Sequence, residues 1–381
     1  MRLLFVSHSF PPPGQPLANL GGMQRVATDL YAALGQVPGL SREGLLLHTS
    51  WALTPPRTVL FLPRVRARLR REARRPTVDA VLFSSMVTAS TAVGLSTRLR
   101  EAGVVTAAIT HGLDVTTPFG PYQRFVPRVF DALDRVLPVS HATAEACRLR
   151  GADPAKLVVV PNGVDTHRLE PPQDRTEARR LLRASLQQSL PDDAFVLLSV
   201  GRHVRRKGFA WFAESVMPRL PAHVHWVLVG EGPETPAVQA AVAAHGLAGQ
   251  VHLTGRAGDD LLRRLYEGAD LFVMPNRPVP GDMEGFGVVM LEAGLGGMPT
   301  VGAALEGILD VIAEGENGQL VPSGDAEAFA GAITHYVRDR GALDALSART
   351  AAYTRETFAW EAVARRYVEV LKIAEGRRTS E

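Results

Sequence analysis

Cysteine is nearly absent from this sequence of 381 residues, and long apolar runs are missing altogether. The single cysteine, Cys147, cannot form an internal disulfide, and as a lone thiol in a predicted helix it is expected to fill the core. No apolar run reaches the roughly 18 residues that span a bilayer. The N-terminus shows neither the apolar stretch nor the cleavage pattern of a signal peptide. We therefore exclude redox and thiolate-metal chemistry and expect a cytoplasmic protein.

Lysine is also scarce, with three residues against 39 arginines, and charge is unevenly distributed along the chain. Residues 1–170 carry 20 basic and 12 acidic side chains, whereas the remainder is net acidic. Eight arginines lie between Arg57 and Arg75, among apolar residues at loosely helical spacing. This segment fits a solvated helix face, or a peripheral contact with anionic lipid or an acidic acceptor. Nucleic acid is disfavoured, because interleaved aromatic residues and recognised binding motifs are missing.

The length of the chain favours two domains over a single core. Short apolar runs alternate with longer amphipathic segments, which is the pattern of βαβ units and mainly parallel sheets. We predict two Rossmann-like, doubly wound α/β domains, residues 1–175 and 176–360, with the boundary in a polar, proline-bearing linker. A last helix, 361–381, is expected to cross back to the first domain. The predicted strands are 2–7, 80–84, 104–110, 135–139 and 157–161, followed by 195–200, 225–229, 251–254, 271–274, 300–302 and 319–321.

The residues that follow these strands are the first candidates for a site. In open parallel sheets, ligands bind beyond the carboxyl ends of the strands, at the point where the strand order reverses. His111 follows one predicted strand of the first domain, and Arg202 and Arg256 follow strands of the second. We expect two facing sheets to gather such residues around one interdomain cleft.

The segment Ser199 to Gly208 sets Arg202 after a strand and a glycine, and Lys207 five residues later. Two fixed cations beside helix-end amides suit a diphosphate. Preorganised cations there lower the barrier when charge grows on a departing diphosphate. With Arg205 and Arg206 alongside, the same residues also fit a simple charged surface.

The segment Asp282 to Thr300 places Glu284 on a glycine turn and Glu292 eight residues further, in a predicted helix. A carboxylate accepts paired hydrogen bonds from vicinal hydroxyls, so one acid near a sugar ring and another near a ribose form a sensible arrangement. Backbone amides at the start of the helix are expected to face the ligand. These amides belong to Phe286, Gly287, Val288 and Val289.

Taken together, these segments resemble the family 4 retaining glycosyltransferases of GT-B fold, the group 1 glycosyltransferases. The E-x7-E pair of that family is matched by Glu284 and Glu292, after a G-R-x(4)-K-G segment matched from Gly201 to Gly208. Other matching segments are Gly21-Gly22, His111-Gly112, 159–165, 229–233, 265–276, 317–321 and 358–367. The resemblance covers nearly the whole chain in order, and residues 275–287 resemble the donor loop of phosphatidylinositol mannosyltransferase-like members.

The resemblance implies a role for each matched residue. Arg202 and Lys207 would hold the diphosphate of a sugar nucleotide, while Glu284 would contact hydroxyls of the transferred sugar. Glu292 would bind the ribose, and His111 would sit over the reacting centre. The prediction of a hexosyltransferase rests on four of these residues, Arg202, Lys207, Glu284 and Glu292. The donor is a substrate, and no cofactor is expected.

The resemblance also implies the remaining contacts and the course of the reaction. Gly22, at a helix start, would approach the phosphates or the acceptor, and Arg256 would lie near the base. Retention without a protein nucleophile implies a front-face displacement, in which the departing phosphate oxygen takes the proton of the incoming hydroxyl. No metal is implied. GDP-mannose stands slightly ahead of UDP-sugars as donor, and the acceptor, a lipid, sugar or small molecule, is left open.

One segment departs from the family pattern. A glycine-rich G-G-x-x-E usually follows the strand near Thr300, whereas this chain has Leu305 to Asp310, with Glu306 and Gly307 in the middle. The geometry of the phosphate loop around Glu306 is therefore in question.

Three alternatives to this prediction remain. Asp282 and Glu284 are also compatible with a D-x-D-like metal site of a single-domain GT-A transferase, which chelation would inactivate. Two Rossmann-like halves also occur in NAD-dependent oxidoreductases, although no G-x-G-x-x-G follows the first strand. The third alternative is a GT-B protein that is not a transferase, such as an epimerase, a phosphorylase or a non-catalytic sugar-nucleotide-binding protein.

Overall fold

The computed structural model describes residues 1–14, 22–50, 53–186 and 190–378. The chain divides into two compact units, Met1–Gly163 with Phe358–Glu381, and Val164–Thr357. The first division falls before the predicted boundary at residue 175. The segment after Val164 joins the second unit, because the Arg355 guanidinium donates to the Leu169 carbonyl and the helix Arg175–Ser185 packs on the helix Asp259–Gly268.

The first unit is built on a parallel sheet of five strands in the order β2-β1-β3-β4-β5. This sequence of strands reverses its order between β1 and β3, the place where open α/β sheets hold their ligands. The strands are β1 (Arg2–Phe10), β2 (Ser41–His48), β3 (Ala80–Phe83), β4 (Val105–Thr110) and β5 (Arg135–Pro138). The helices are α1 (Gly22–Leu34), α2 (Thr54–Glu72), α3 (Met86–Ala89), α4 (Ser96–Glu101), α5 (Leu113–Thr116), α6 (Gly120–Ala132) and α7 (His141–Arg148).

In this unit, the sequence prediction misses one strand and places another where there is none. Strand β2 was not predicted, since it is an edge strand whose first half, Ser41 to Gly44, is polar and partly exposed. Residues 157–161 form no strand. Only Leu157 makes a bridge, to Val136, and the amides of Val158 and Val160 donate to carbonyls of the β5 region. The segment therefore runs extended along the sheet edge without a continuous ladder.

The second unit is built on a parallel sheet of six strands in the order β11-β10-β9-β6-β7-β8. The first strand of the unit, β6, lies in the middle beside β9, which is the arrangement of Rossmann dinucleotide-binding sheets. The strands are β6 (Phe195–Val200), β7 (Val224–Val229), β8 (Val251–Gly255), β9 (Leu271–Met274), β10 (Thr300–Ala303) and β11 (Gly318–Val321). The helices are α8 (Arg175–Ser185), α9 (Phe209–Trp211), α10 (Thr235–Ala244), α11 (Asp259–Gly268), α12 (Val288–Leu295), α13 (Ala326–Arg338) and α14 (Arg340–Phe358).

All six strands of this sheet match the predicted runs to within one or two residues. They are short, nearly continuous apolar segments, because helices cover both faces of a parallel sheet. Strands β6, β7 and β9 are almost completely buried. The prediction of two doubly wound α/β domains is thereby confirmed.

Two helices of the first unit carry apolar stripes that explain their placement. The last helix, α15 (Trp360–Arg378), packs on α1 and β4 and buries Trp360 and Tyr367. Helix α2 buries one stripe at helical spacing, formed by Thr58, Phe61, Val65, Leu69 and Glu72.

The structure bears on two features of the sequence, its lack of long apolar runs and its single cysteine. Among the residues that the structure describes, no helix combines the length and apolar character needed to cross a bilayer. Cys147 is buried in α7, and burial raises the pKa of its thiol to about 12. The thiol is therefore protonated at neutral pH and fills the core.

Candidate active site

The candidate site of the second unit lies where β6 and β9 end side by side. The loop after β6 spans 201–208, and the loop after β9 spans 275–287. The two loops touch directly, since the Arg277 amide donates to the Arg206 carbonyl at 2.8 Å. Gly208 has φ +67°, and a Cβ on it would lie 2.0 Å from the Pro275 carbonyl oxygen. Only glycine allows this approach, which brings Lys207 beside the second loop.

Glu284 is the centre of this site. Its Oε2 accepts hydrogen bonds from Lys207 Nζ at 2.6 Å and from Asn276 Nδ2 at 3.0 Å, and Arg206 donates to the same oxygen. Both Lys207 and Glu284 are buried. Three donors thus converge on one carboxylate oxygen, while no described residue donates to Oε1.

The charge of Glu284 is maintained by these partners. Burial acts to raise the pKa of its carboxyl group, but Lys207, Arg206 and Asn276 outweigh burial and hold the pKa at about 2. Burial lowers the pKa of Lys207, and the carboxylate opposes that effect. Glu284 is therefore ionised at neutral pH, in a fixed orientation.

The backbone of Glu284 is held as firmly as its side chain. The Glu284 amide donates to Glu306 Oε2 at 2.6 Å, and the Gly307 amide donates to the Glu284 carbonyl at 3.1 Å. Glu306 begins a short 3₁₀ turn, Glu306–Asp310, after β10. On the other side, Asp282 accepts from Arg206 Nε at 3.0 Å. Three loops therefore fix the position of one carboxylate.

The other predicted residues of this unit have separate surroundings. Arg202 is exposed and has no side-chain partner among the described residues. Arg256 is exposed and forms an ion pair with Glu231 at 3.4 Å. Glu292 is buried in α12, where its Oε2 accepts from the Tyr266 hydroxyl at 2.9 Å. The structure brings Lys207 and Glu284 together, and its contacts do not join Arg202 or Arg256 to that pair.

The predicted amides lie at the start of α12. Phe286 is buried, and Gly287 precedes the helix with φ +89°, the left-handed region that favours glycine. Val288 and Val289 form the first turn, and no side chain caps it. The first amides of a helix have no partner within it, so an oxygen atom of a ligand can accept from them.

In the first unit, the carboxyl ends of β1, β3 and β4 bring two histidines close together. His111 Nε2 is 2.9 Å from the Ser84 carbonyl, and His8 Nδ1 is 3.4 Å from Ser85 Oγ. A carbonyl only accepts, so His111 Nε2 carries a proton and Nδ1 presents a lone pair when the ring is neutral. Burial, with a contribution from His111, lowers the pKa of His8 to about 4.

Gly22 and Asp114 of the first unit are less informative. Gly22 is the first residue of α1 and is exposed, whereas Gly21 lies outside the described residues. Asp114 accepts from the amides of His111 and Met86, so it stabilises the turn after β4.

Sequence reasoning missed the contacts of several residues around Glu284. Arg206 was predicted only as a surface charge beside Lys207, Asp282 only as a candidate metal ligand, and Asn276 only as the end of a matching segment. The sequence did contain an indication for Arg206. It is a cation next to Lys207 in the same loop, so it has the same surroundings as Lys207. Nothing in the sequence indicated the contact with Asn276.

Two family models match the chain. Residues 20–168 match a model described as Glycosyltransferase Family 4, and residues 194–339 match one described as Glycosyl transferases group 1. A GDP-mannose-dependent alpha-(1-6)-phosphatidylinositol monomannoside mannosyltransferase of Mycobacterium tuberculosis is 27% identical over 97% of this chain and 98% of its own length. A D-inositol 3-phosphate glycosyltransferase of Geodermatophilus obscurus is 35% identical over 55% of this chain and 46% of its own length.

Solved structures show the same fold. HepE of Anabaena in complex with UDP aligns with a TM-score of 0.72 at 18% identity, over 98% of this chain and 100% of that chain. Sucrose-phosphate synthase of Thermosynechococcus elongatus aligns with a TM-score of 0.73 at 19% identity, over 98% of both chains. The two sheets and the matched models exclude a single-domain GT-A transferase and an oxidoreductase. The chain belongs to the family 4, group 1 glycosyltransferases and is a glycosyltransferase of GT-B fold.

Proposed function

We propose that this glycosyltransferase moves a hexose from a nucleotide-diphosphate sugar to an acceptor hydroxyl, with retention of configuration and without a metal ion. The observation that carries the proposal is the fixed carboxylate of Glu284. Three donors occupy its Oε2, whereas none of the residues that the structure describes donates to Oε1. A carboxylate oxygen held in this way accepts a hydroxyl hydrogen bond without reorganisation, which favours binding of a sugar ring.

Positive charge for the diphosphate comes from the loop that carries Lys207. Arg202 is exposed and has no described partner, so its guanidinium is available for paired hydrogen bonds to phosphate oxygens. Lys207 donates one N–H to Glu284 Oε2 and one, more weakly, to Met274 Sδ, which leaves a third N–H for a phosphate oxygen. Cations fixed at this place stabilise the negative charge that develops on the leaving group. The uncapped first turn of α12 adds amides of the same polarity.

The proposed step is a front-face displacement. The acceptor oxygen bonds to the anomeric carbon on the side of the departing diphosphate, while the bond from that carbon to the phosphate oxygen breaks. The electron pair of the broken bond stays on the phosphate oxygen, which takes the proton of the acceptor hydroxyl. The Glu284 carboxylate is a weak base, because its pKa is held at about 2, so we assign it to sugar binding rather than to proton transfer.

The metal-free assignment rests on the partners of the two candidate metal ligands. Asp282 is paired with Arg206, and Glu284 with Arg206 and Lys207. A divalent cation bound by both carboxylates would have to displace or approach these two cations, at a Coulombic cost. The cations of the chain therefore take the place that a metal ion has in a D-x-D site.

GDP-mannose is the first donor to test. The Mycobacterium tuberculosis relative, which aligns over almost its full length, is named as a GDP-mannose-dependent mannosyltransferase. The acceptor named for that relative is a glycolipid, phosphatidylinositol monomannoside. We extend both to this chain as the starting hypothesis.

The proposal predicts mannosyl transfer in excess EDTA. The purified protein is incubated with GDP-α-mannose and phosphatidylinositol monomannoside vesicles, the product is identified by mass spectrometry, and its anomeric configuration by NMR. We expect an α-mannoside, formed at the same rate with and without EDTA. UDP-glucose serves as the control donor. A β-linked product would contradict retention, and activity that EDTA abolishes and manganese restores would contradict the metal-free assignment.

We also propose that helix α2 docks on an anionic membrane. The side of this helix opposite its buried stripe exposes Arg64, Arg70 and Arg71, and Arg74 follows just beyond its end. Near its start, Val59 and Leu60 are 68% and 72% exposed. Exposed apolar residues beside a row of arginines fit the boundary between headgroups and acyl chains.

Binding to vesicles tests this proposal. Replacing Arg64, Arg70 and Arg74 by Gln is expected to weaken sedimentation with anionic vesicles about a hundredfold, at about 1 kcal/mol for each arginine near the surface. Arg66 is left unchanged, because its guanidinium donates to the carbonyls of Thr91 and Val93 and supports the fold.

A matched variant removes the same charge elsewhere. Arg263, Arg338 and Arg365 are exposed, and their replacement by Gln should leave vesicle binding close to that of the parent protein. Equal loss in both triple variants would show a nonspecific charge effect, and unchanged binding of the α2 variant would leave the helix as a solvated surface.

A further inference from the structure

Glu306 adopts a backbone conformation that is unusual for its residue type. Its φ of +50° is the only positive value of a residue other than glycine in the part of the chain that the structure describes. The left-handed region places Cβ close to the following carbonyl oxygen, and such residues persist only where their surroundings impose it. They cluster at functional sites, so the contacts of Glu306 need an explanation.

The contacts of Glu306 lead directly to Glu284. Its Oε2 accepts from the Glu284 amide at 2.6 Å, and the next residue, Gly307, donates its amide to the Glu284 carbonyl at 3.1 Å. A Cβ on Gly307 would lie 2.2 Å from the Gly285 carbonyl oxygen. The turn after β10 and the loop after β9 are therefore joined on both sides of the Glu284 backbone.

The electrostatic surroundings of Glu306 are unfavourable for a carboxylate. Burial raises its pKa, the hydrogen bond from the Glu284 amide opposes this, and the nearby Glu284 charge raises it further. A glycine at this position would relieve the backbone and remove the like charge, and it would still allow the bond from Gly307. It could not, however, accept the amide of Glu284.

We propose that Glu306 is a positioning residue for the sugar donor. Its carboxylate fixes the backbone of Glu284, so that Oε1 of Glu284 is held where a hydroxyl of the transferred sugar binds. The inference rests on the proposed function for its consequence in catalysis. The contact itself can be tested separately.

Two variants separate the contact from the fold. Glu306→Gly suits φ +50° and removes the acceptor, whereas Glu306→Gln retains an oxygen acceptor without the charge. Hydrogen–deuterium exchange measures protection of the Glu284 amide, thermal unfolding measures stability, and steady-state kinetics measure KM for the donor and kcat.

The proposal predicts a divergence between stability and function. In Glu306→Gly, the Glu284 amide should exchange at least about tenfold faster and kcat/KM for the donor should fall about tenfold or more, as expected for a lost hydrogen bond to a charged group. The melting temperature should be unchanged or higher. Glu306→Gln should restore most of the protection and of kcat/KM.

Three outcomes would overturn the inference. The first is a Glu306→Gly variant with the exchange rate and kcat/KM of the parent protein. The second is faster exchange with unchanged kcat/KM. The third is loss of melting temperature and activity together, without rescue by Gln, which would make the residue merely structural. If the parent protein transferred no sugar, the proposed function would fail. The exchange rates of the two variants would then still decide whether Glu306 positions Glu284.

Discussion

Replacing Glu284 by Gln is expected to lower kcat for glycosyl transfer by about 10²–10³-fold, the loss typical of one preorganised electrostatic group. Lys207, Arg206 and Asn276 all donate to Oε2, so the amide of Gln must present its oxygen to them. Its NH₂ group then occupies the place of Oε1. A donor then stands where the proposed function places an acceptor for a sugar hydroxyl, so that hydrogen bond is lost in the transition state while the geometry of the site is kept.

The partner cation should be equally important. Replacing Lys207 by Met removes a positive charge that we propose lies beside the leaving diphosphate, and it is expected to lower kcat by a similar factor. It also removes one partner of a buried pair. The free energy of unfolding should therefore fall by about 3–5 kcal/mol, or by less where Arg206 compensates for the lost charge. The stability effect could by itself reduce the measured rate.

The double variant Lys207→Met, Glu284→Gln resolves this ambiguity. It removes both buried charges, so neither is left without its partner. In urea denaturation, the double variant should therefore be closer in stability to the parent protein than either single variant is. Its activity should remain low. Glu316, which is exposed in the same unit, provides the matched control Glu316→Gln, for which we expect parental activity. Near-normal transfer by folded Glu284→Gln would refute the site assignment.

The second sheet was readable from the sequence, because each strand is a short run of apolar residues that helices cover on both faces. The order of these strands was not. The adjacency of β6 and β9 places residues more than 60 positions apart in one site, and the close approach depends on Gly208 and its positive φ. Periodicity within a segment carries no information about such a contact.

The sequence therefore indicated Lys207 and Glu284 as separate candidates, and only the structure shows that they bind each other. Arg206 is the clearest case of a missed residue. Its charge was visible, but a guanidinium that bridges Asp282 and Glu284 looks the same in sequence as one in solvent. Glu306 was noticed as a departure from the family pattern, and its contact with the Glu284 amide could not be foreseen.

In the first sheet, the same pattern of apolar runs was less reliable. Strand β2 lies at the edge, where one side meets solvent and polar residues such as Arg42 and Glu43 are tolerated. Residues 157–161 have the apolar character of a strand but no neighbour on their outer side that completes a ladder. Edge strands thus obey weaker sequence rules than central ones.

Among the acidic residues of the second unit that lie outside the candidate site, Asp270 should contribute most to the stability of the unit. It lies just before β9, is almost fully buried, and accepts from the Val196 amide at 2.7 Å. Arg179 and Arg340 donate to its other oxygen, at 2.5 and 3.1 Å. One carboxylate thus ties β6, α8 and α14 together at the amino end of the sheet.

Replacing Asp270 by Asn is expected to cost about 3–5 kcal/mol of unfolding free energy, because Arg179 loses its counter-charge in a mostly buried place. Urea denaturation followed by circular dichroism measures this loss. Asp192 also pairs with an arginine, Arg183, but its side chain is fully exposed, so Asp192→Asn should leave the denaturation midpoint unchanged. A midpoint equal to that of the parent protein in Asp270→Asn would show that water screens the arginines. The buried cluster would then not be what holds α8 and α14 to the sheet.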